Sequence, residues 1–206
     1  MNNLEKIYKQ SGSVERYAKG YFSYLSELLN QIDSREIVTL INELEAARKN
    51  ENTIFVAGNG GSAATASHLA NDIGVDVYKK GKTCPGFKVL ALTENVSVMT
   101  AISNDEGFHN LFVNQLKIHY RPGDKLIVIS ASGNSANLVE AAKLVKAQGG
   151  RVIGLLGFDG GKLKELCDLS IHIKTPQGEY GPVEDIHLIL DHLISSYLIY
   201  FYKDEK

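Results

Sequence analysis

The sequence predicts a three-layer α/β fold: a parallel sheet flanked by helices on both faces and preceded by an N-terminal helical arm. Three features of the 206-residue chain support this prediction. Residues 1–50 show helical periodicity and no strand pattern. From residue 53 onwards, short apolar runs alternate with helical segments, as in parallel sheets. Two of the runs end in turns rich in glycine or serine, and ligands of parallel sheets bind beyond the carboxyl ends of strands.

The arm is predicted to contain two amphipathic helices, whose apolar residues recur every three or four positions. The apolar stripe of the first helix comprises Tyr17, Tyr21, Leu25, Leu28 and Ile32. Ser34 can cap the second helix, whose apolar face holds Ile37, Leu40, Ile41, Leu44 and Ala47. These faces must pack on the α/β core, residues 51–206, or on another subunit. We expect one domain, residues 1–206, with residues 1–50 as its arm.

The core is predicted to alternate five strands with six helices. The strands are Thr53–Ala57, Lys88–Leu92, Lys125–Ile129, Arg151–Leu156 and Leu169–Ile173. The helices should begin near Ser62, Ser97, Phe108, Ser135, Gly161 and Pro182.

Composition argues against several classes of protein. There are 22 Lys and Arg residues against 24 Asp and Glu, a net charge of −2, so the basic excess of a generic nucleic-acid binder is missing. Apolar runs such as Leu126–Ile129 are far shorter than the roughly 18–20 residues of a membrane span. The first ten residues are polar, and Cys84 and Cys167 form no CxxC motif. We therefore expect a cytoplasmic protein that binds neither nucleic acid nor membrane.

The first strand ends in Gly58-Asn59-Gly60-Gly61-Ser62, and a helix follows at once. Glycines let the backbone approach an anion closely, and a helix N-terminus offers free N–H groups and a positive dipole end. The segment is neither a GxGxxG motif nor a Walker A loop. It is a candidate phosphate site, and the alternative is a tight turn capped by Ser62.

The third strand ends in Ser130-Ala131-Ser132-Gly133-Asn134-Ser135. Three hydroxyls near a helix N-terminus can bind phosphate without a fixed cation. Ser135 alone would be explained as an N-cap, but three serines in six residues favour a ligand site. The turn at residues 156–162 follows the same plan without the hydroxyl cluster, and we interpret it as structural.

Candidate chemistry lies on two helices. His68 and Asp72 are four residues apart on the helix after the glycine loop, which places them on one face. Glu184 and His192 can share a polar stripe on the largely apolar last helix. On the same helix we expect His187 and Asp191 to be solvated.

The motifs GNGGSAATASHLA and ISASGNSAN resemble those of the sugar isomerase (SIS) domain, a phosphosugar-binding α/β fold. The chain is most similar to the phosphoheptose isomerases, which interconvert sedoheptulose 7-phosphate and D-glycero-D-manno-heptose 7-phosphate through an enediol, and the similarity spans nearly the whole chain. The resemblance implies that phosphate contacts the loop with Gly60 and four serines, Ser62, Ser130, Ser132 and Ser135. It also implies that Asn59 and Asp105 face the sugar and that His192 is the catalytic histidine.

Two departures from the family bear on catalysis. The catalytic glutamate of the family is Asp72 here, and its glutamine is Glu184. An Asp-Arg pair of the family is Gly181-Pro182 here. We therefore hypothesise that Glu184 shares or takes over the role of base, while Asp72 orients a group or binds a metal.

The resemblance also suggests a metal and an assembly. His68, Asp72, Glu184 and His192 are a plausible donor set for Zn²⁺, which some phosphoheptose isomerases carry at the matching positions. A homotetramer with active sites at subunit interfaces is implied, as is heptose supply for a surface polysaccharide. Two alternatives remain. One is an isomerase of a different sugar phosphate, and the other is a non-catalytic relative that binds a partner protein, as replication-initiation regulators of this fold do.

Overall fold

The structure, a computed structural model, describes residues 1–204. Three helices come first: α1 Asn3–Ser11, α2 Val14–Leu29 and α3 Ser34–Lys49. The strands are β1 Thr53–Gly58, β2 Lys88–Ala91, β3 Lys125–Ser130, β4 Arg151–Gly157 and β5 Leu169–Ile173. The remaining helices are α4 Gly61–Leu69, α5 Val77–Gly81, α6 Val96–Asp105, α7 Leu111–His119, α8 Ala136–Ala147, α9 Gly161–Leu166 and α10 Tyr180–Asp204. A π-helical segment, Ala70–Asp76, joins α4 to α5, and a 3₁₀ turn, Phe108–Asn110, precedes α7.

The five strands form one parallel sheet in the order β2-β1-β3-β4-β5. The chain passes from β1 to β2 on one side and then crosses back to β3 on the other side of β1, so the direction of the connections reverses between β1 and β3. This is the position at which open parallel sheets hold their ligands, beyond the carboxyl ends of the strands. Gly58 pairs with Ile129 there, so the glycine loop and the serine loop leave the sheet side by side.

The two faces of the sheet bury separate apolar clusters because alternate residues of a strand point to opposite sides. In β1, Ile54 and Val56 face a cluster shared with α3, α4 and α10. Phe55 and Ala57 face a second cluster shared with α7, α8 and α9. The predicted parallel sheet with helices on both faces is therefore confirmed.

The N-terminal helices have two different roles. Helix α3 buries Leu40 and Leu44 in the core, so this part of the predicted arm is packed on the sheet. Helix α1 follows a capping box at Asn2, which the sequence analysis did not identify. The α1–α2 pair is attached to the start of α10 by Glu179, which is fully buried and accepts hydrogen bonds from the Asn3 N–H and the Tyr24 hydroxyl, each 2.5 Å long.

All five predicted strands are confirmed to within a residue at either end. The predicted helix starts are also confirmed, within three residues. The cap predicted at Ser34 is wrong, because Asp33 is the N-cap of α3 and its side chain accepts from the Arg35 N–H. The π-helical segment at Ala70–Asp76 was not predicted. Within residues 1–204, no helix combines the length and the apolar character that a membrane span requires.

Candidate active site

A cavity of about 150 Å³ opens beyond the carboxyl ends of β1 and β3. Its lining joins the two loops to the start of α10 and comprises Asn59, Ser62, Ile129, Ser130, Ala131, Ser132, Ser135, Leu138, Tyr180 and Glu184. All four serines predicted to bind phosphate therefore meet in one place. Tyr180 was not predicted, and it reaches the cavity because α10 begins there.

The glycine loop turns directly into α4. Gly60 is the N-cap residue with φ +56°, in the left-handed region that favours glycine, and the N-cap has no side-chain hydrogen bond. The alternative that Ser62 caps the helix is therefore wrong. Its side chain lies inside the first turn of α4 and against the cavity, 4% exposed.

The serine loop is internally ordered in a way that leaves hydroxyl protons available. Ser130 Oγ accepts from the Gly133 N–H at 3.0 Å, and Ser132 Oγ accepts from the Asn134 N–H at 3.3 Å. Both hydroxyls can still donate their own proton to a ligand. Ser135 occupies the N-cap position of α8 but makes no capping hydrogen bond within the described chain. Its hydroxyl is thus also free for a ligand.

The turn after β4 supports the serine loop rather than the cavity. The Leu163 N–H donates to the Gly133 carbonyl at 3.0 Å, and the Lys162 N–H donates to Asn134 Oδ1 at 3.2 Å. These contacts agree with the structural interpretation of residues 156–162.

The side chains of Asn59 and Asn137 join the two loops. Each amide N–H donates to the other's amide oxygen over 2.9 Å, and Asn137 is only 1% exposed. Asn137 Oδ1 also accepts from the Leu138 N–H in the first turn of α8. The predicted sugar contact, Asn59, is therefore held in a fixed orientation at the cavity wall.

Glu184 lies in this cavity and not beside the histidines. An ideal Cβ placed on Gly61 would lie 2.2 Å from Glu184 Oε2, so the carboxylate rests against the first turn of α4. Burial, and secondarily the charge of Asp185, raise the pKa of Glu184 above its ordinary value. The prediction of a four-residue donor set thus has to be corrected, because the structure places Glu184 with the serines.

The other three members of that set do come together. One ligand atom from each of His68, Asp72 and His192 lies within 4.8 Å of the others. Asp72 Oδ2 is 3.6 Å from His68 Nδ1 and 4.0 Å from His192 Nε2, and the Asp72 side chain is 15% exposed. Asp72 belongs to the π-helical segment, a rare geometry that is frequent at functional sites.

Two residues of α10 contradict the expectation that they are solvated. His187 and Asp191 are both fully buried. They continue the buried stripe that also includes Val183, Ile194 and Leu198 at intervals of three or four residues. This spacing was the signal in the sequence that could have placed them in the interior.

Asp191 is the functional candidate that the sequence analysis missed. Its Oδ2 lies 3.0 Å from His68 Nδ1, closer than any oxygen of Asp72. Burial raises the pKa of Asp191 to about 6, although the hydrogen bond to His68 lowers it in part. The carboxylate therefore touches the histidine cluster from the interior of the protein.

Asp105 does not line this cavity. It ends α6, is exposed, and accepts a hydrogen bond from the Asn104 side-chain amide at 2.8 Å. Its predicted sugar contact stays a prediction.

The fold and the serine-lined cavity define a protein of the SIS class. The SIS domain family model matches residues 20–157.

The relatives narrow the class further. A phosphoheptose isomerase from Aneurinibacillus thermoaerophilus is 42% identical over 194 residues, covering 94% of this chain and 91% of that protein. Phosphoheptose isomerase 2 from Campylobacter jejuni is 38% identical over 187 residues, covering 88% and 90%. The solved phosphoheptose isomerase from Neisseria gonorrhoeae has a TM-score of 0.80 and 29% identity, and the match covers 90% of this chain and 98% of that one. The chain belongs to the phosphoheptose isomerase family of SIS-domain proteins.

Proposed function

We propose that this protein is an aldose–ketose isomerase that converts sedoheptulose 7-phosphate to D-glycero-D-manno-heptose 7-phosphate. The observation that carries the proposal is a serine-lined cavity at the N-terminus of α4 together with a His–Asp–His cluster at the opposite end of that helix. The relatives at about 40% identity, which are named phosphoheptose isomerases, favour this function over a non-catalytic regulator.

The cavity would hold the phosphate. Ser62 and three serines of the second loop supply hydroxyl donors, and the N-terminal turn of α4 adds backbone N–H groups. Gly60 permits the turn, and Asn59 stands at the wall where the sugar leaves the phosphate. Because neutral donors hold the anion, the product can leave without breaking an ion pair.

The reacting carbons would lie at the histidine cluster. Ser62 and His68 are six residues apart on one helix, a rise of about 9 Å at about 1.5 Å per residue. In a heptulose 7-phosphate the carbonyl at C2 lies near the end of the chain remote from the phosphate. The substrate can therefore place its phosphate at the serines and its C1–C2 unit at Asp72.

In this scheme Asp72 acts as the base and His192 as the acid. Asp72 removes a proton from C1 of the ketose while His192 donates a proton to the C2 oxygen, giving a neutral enediol. Return of a proton to C2 and removal of the proton from the C1 hydroxyl then produce the aldose. The substrate gains and loses equal numbers of protons, and both residues regain their starting states over the cycle.

Glu184 is assigned to substrate positioning in this scheme. Its carboxylate shares the cavity with the serines, so it stands near the phosphate end of the substrate. The hypothesis that it takes over the role of base remains the competing assignment.

The residues present fit a metal ion. His68, Asp72 and His192 are the donor set, and two imidazoles with a carboxylate suit Zn²⁺. When bound, Zn²⁺ would polarise the carbonyl and stabilise negative charge on oxygen. Metal analysis of protein purified without a His tag should find about one zinc per chain, and fully active metal-free protein would remove this part of the proposal.

We further propose a cytoplasmic homotetramer with active sites at subunit interfaces. Phe22 on α2 and Tyr200 on α10 are each 66% exposed, as apolar residues at a subunit interface would be in an isolated protomer. Cys84 and Cys167 are free, as is usual in a reducing compartment. Light scattering should give four times the protomer mass, and an active monomer would exclude the interfacial site.

The decisive experiment follows the reaction by NMR in D₂O with sedoheptulose 7-phosphate, with and without added Zn²⁺. We expect an aldoheptose phosphate and deuterium at C1 or C2. Asp76→Asn is the matched control, because Asp76 pairs with Lys80 outside the cluster and should leave turnover unchanged. Neither product nor deuterium in the wild-type samples would contradict the proposal. Stabilisation by other sugar phosphates would then indicate a different substrate.

A further inference from the structure

Asp191 is a buried carboxylate that is held by only one hydrogen-bond partner within the described residues. Its side chain has no solvent exposure, Oδ2 lies 3.0 Å from His68 Nδ1, and Oδ1 is buried without a partner there. Burying a carboxylate is costly unless it is well paired. A group retained at such a cost, in contact with the candidate active site, points to a role there.

The contact fixes the direction of the hydrogen bond. The Asp191 oxygen lies 3.0 Å from Nδ1, and a carboxylate placed in this way behind a ring nitrogen accepts the N–H of the imidazole. Nδ1 of His68 must then carry the proton. In a neutral imidazole, this leaves Nε2 with the free lone pair.

Two carboxylates compete for the same nitrogen. Asp72 Oδ2 is 3.6 Å from His68 Nδ1, beyond ordinary hydrogen-bond length, whereas Asp191 Oδ2 is at 3.0 Å. Asp191 is also fully buried, and the same contact is stronger in a low-dielectric interior. Asp191 therefore engages Nδ1, and Asp72 is left for another partner.

We propose that Asp191 is a positioning residue that holds His68 as its Nδ1–H tautomer and so leaves Nε2 as the ring nitrogen with the free lone pair. Asp191 acts through His68 and touches neither of the other cluster members within hydrogen-bond distance. A carboxylate behind a histidine sets the tautomer and the ring orientation of that histidine in many sites. The tautomer follows from geometry alone, and only its catalytic consequence rests on the proposed function.

The test is long-range ¹H–¹⁵N NMR of the imidazole nitrogens in the full chain labelled with ¹⁵N-histidine. The six histidines are assigned with the help of a His68→Asn variant. Spectra are recorded about two pH units above the ordinary imidazole pKa of about 6.5, where the ring is neutral. Spectra are taken on chelator-treated protein, so that a bound metal does not select the tautomer.

The wild-type spectrum should show a protonated Nδ1 and an unprotonated Nε2 for His68. In Asp191→Asn the amide can donate to Nδ1, so the ring should shift towards the Nε2–H tautomer. Asp76→Asn is the matched control, since its carboxylate lies at the end of the π-helical segment that contains Asp72 and pairs with Lys80. It should reproduce the wild-type spectrum.

The kinetic arm compares the same variants as isomerases. Asp191→Asn should lower kcat about 10- to 100-fold with little change in KM, as for other residues that orient an active-site histidine. A wild-type Nε2–H tautomer would overturn the proposal even if the variant failed to fold, and so would an unchanged spectrum in folded Asp191→Asn. If the tautomer behaves as expected but the wild-type protein has no isomerase activity, the proposed function fails and the positioning role stands.

Discussion

The carboxylate of Glu184 rests on the backbone of Gly61. An ideal Cβ at position 61 would lie 2.2 Å from Oε2 and 2.7 Å from Cδ of Glu184. A side chain at the first residue of α4 would therefore have to displace the Glu184 carboxylate, because the last helix of the fold lies directly across it. This contact joins the glycine loop to α10, the helix that also carries His192.

Gly61→Ala should therefore weaken substrate binding. The added methyl group must displace Glu184 or tilt the first turn of α4, and overpacking of this kind costs about 1–3 kcal/mol. We expect a lower melting temperature and a KM raised about tenfold, measured by thermal unfolding and steady-state kinetics. Gly74→Ala is the control, since its Cβ would meet neighbours at an ordinary 3.6 Å. Equal melting temperatures and equal KM values for the two variants would show that the Glu184 side chain moves aside without cost.

Substitutions of the two candidate bases should separate their roles. Asp72→Asn removes the carboxylate from the histidine cluster and should lower kcat by about 10²- to 10⁴-fold. Glu184→Gln keeps shape and polarity in the serine-lined cavity and should change KM more than kcat. Single-turnover kinetics on both variants shows which of the two carboxylates is the base. A kcat loss confined to Glu184→Gln would assign the base to Glu184.

The paired amides of Asn59 and Asn137 should be coupled in stability. Asn137→Ala leaves the Asn59 amide without its partner and should cost about 1–3 kcal/mol of unfolding free energy. The double variant with Asn59→Ala should cost less than the sum of the single variants, by about 0.5–3 kcal/mol. Urea unfolding of the four proteins measures this coupling. Strictly additive losses would mean that the two loops are held together by other contacts.

His187 should make the protein sensitive to acid. Burial lowers the pKa of this imidazole from 6.5 to about 4, and the Leu156 backbone offsets this only in part. Neither ring nitrogen has a hydrogen bond of ordinary geometry to a described residue. The unfolded chain binds the proton below about pH 6.5 and the folded protein only below about pH 4. The unfolding free energy should therefore fall by up to about 3 kcal/mol as the pH drops through that interval.

The variant His187→Leu tests this assignment because it replaces the titratable ring with an apolar side chain at the same buried position. Its unfolding free energy should decline less between pH 6.5 and pH 4 than that of the wild type. His119→Leu, at an exposed position near the end of α7, should keep the wild-type slope. Parallel pH profiles for all three proteins would refute a role of His187 in acid sensitivity.

The sequence by itself determined the strands, most of the helices and the two loops of the candidate site. Each of these depends on local spacing: apolar runs predict strands, and the glycine and serine turns mark where the strands end. The parallel arrangement followed from the alternation of strands and helices, and it placed Ser62 and Ser130 at the same edge of the sheet.

Only the tertiary structure decided which polar residues of α10 face which partner. A helix repeats every 3.6 residues, so spacing groups Glu184 with His192 on one stripe but does not say how far each reaches along the neighbouring helix. The packing of α10 across α4 puts Glu184 over Gly61 and His192 beside Asp72, two turns further on. The same packing buries Asp191 against His68, because the position of one helix over another is set by contacts far apart in the sequence.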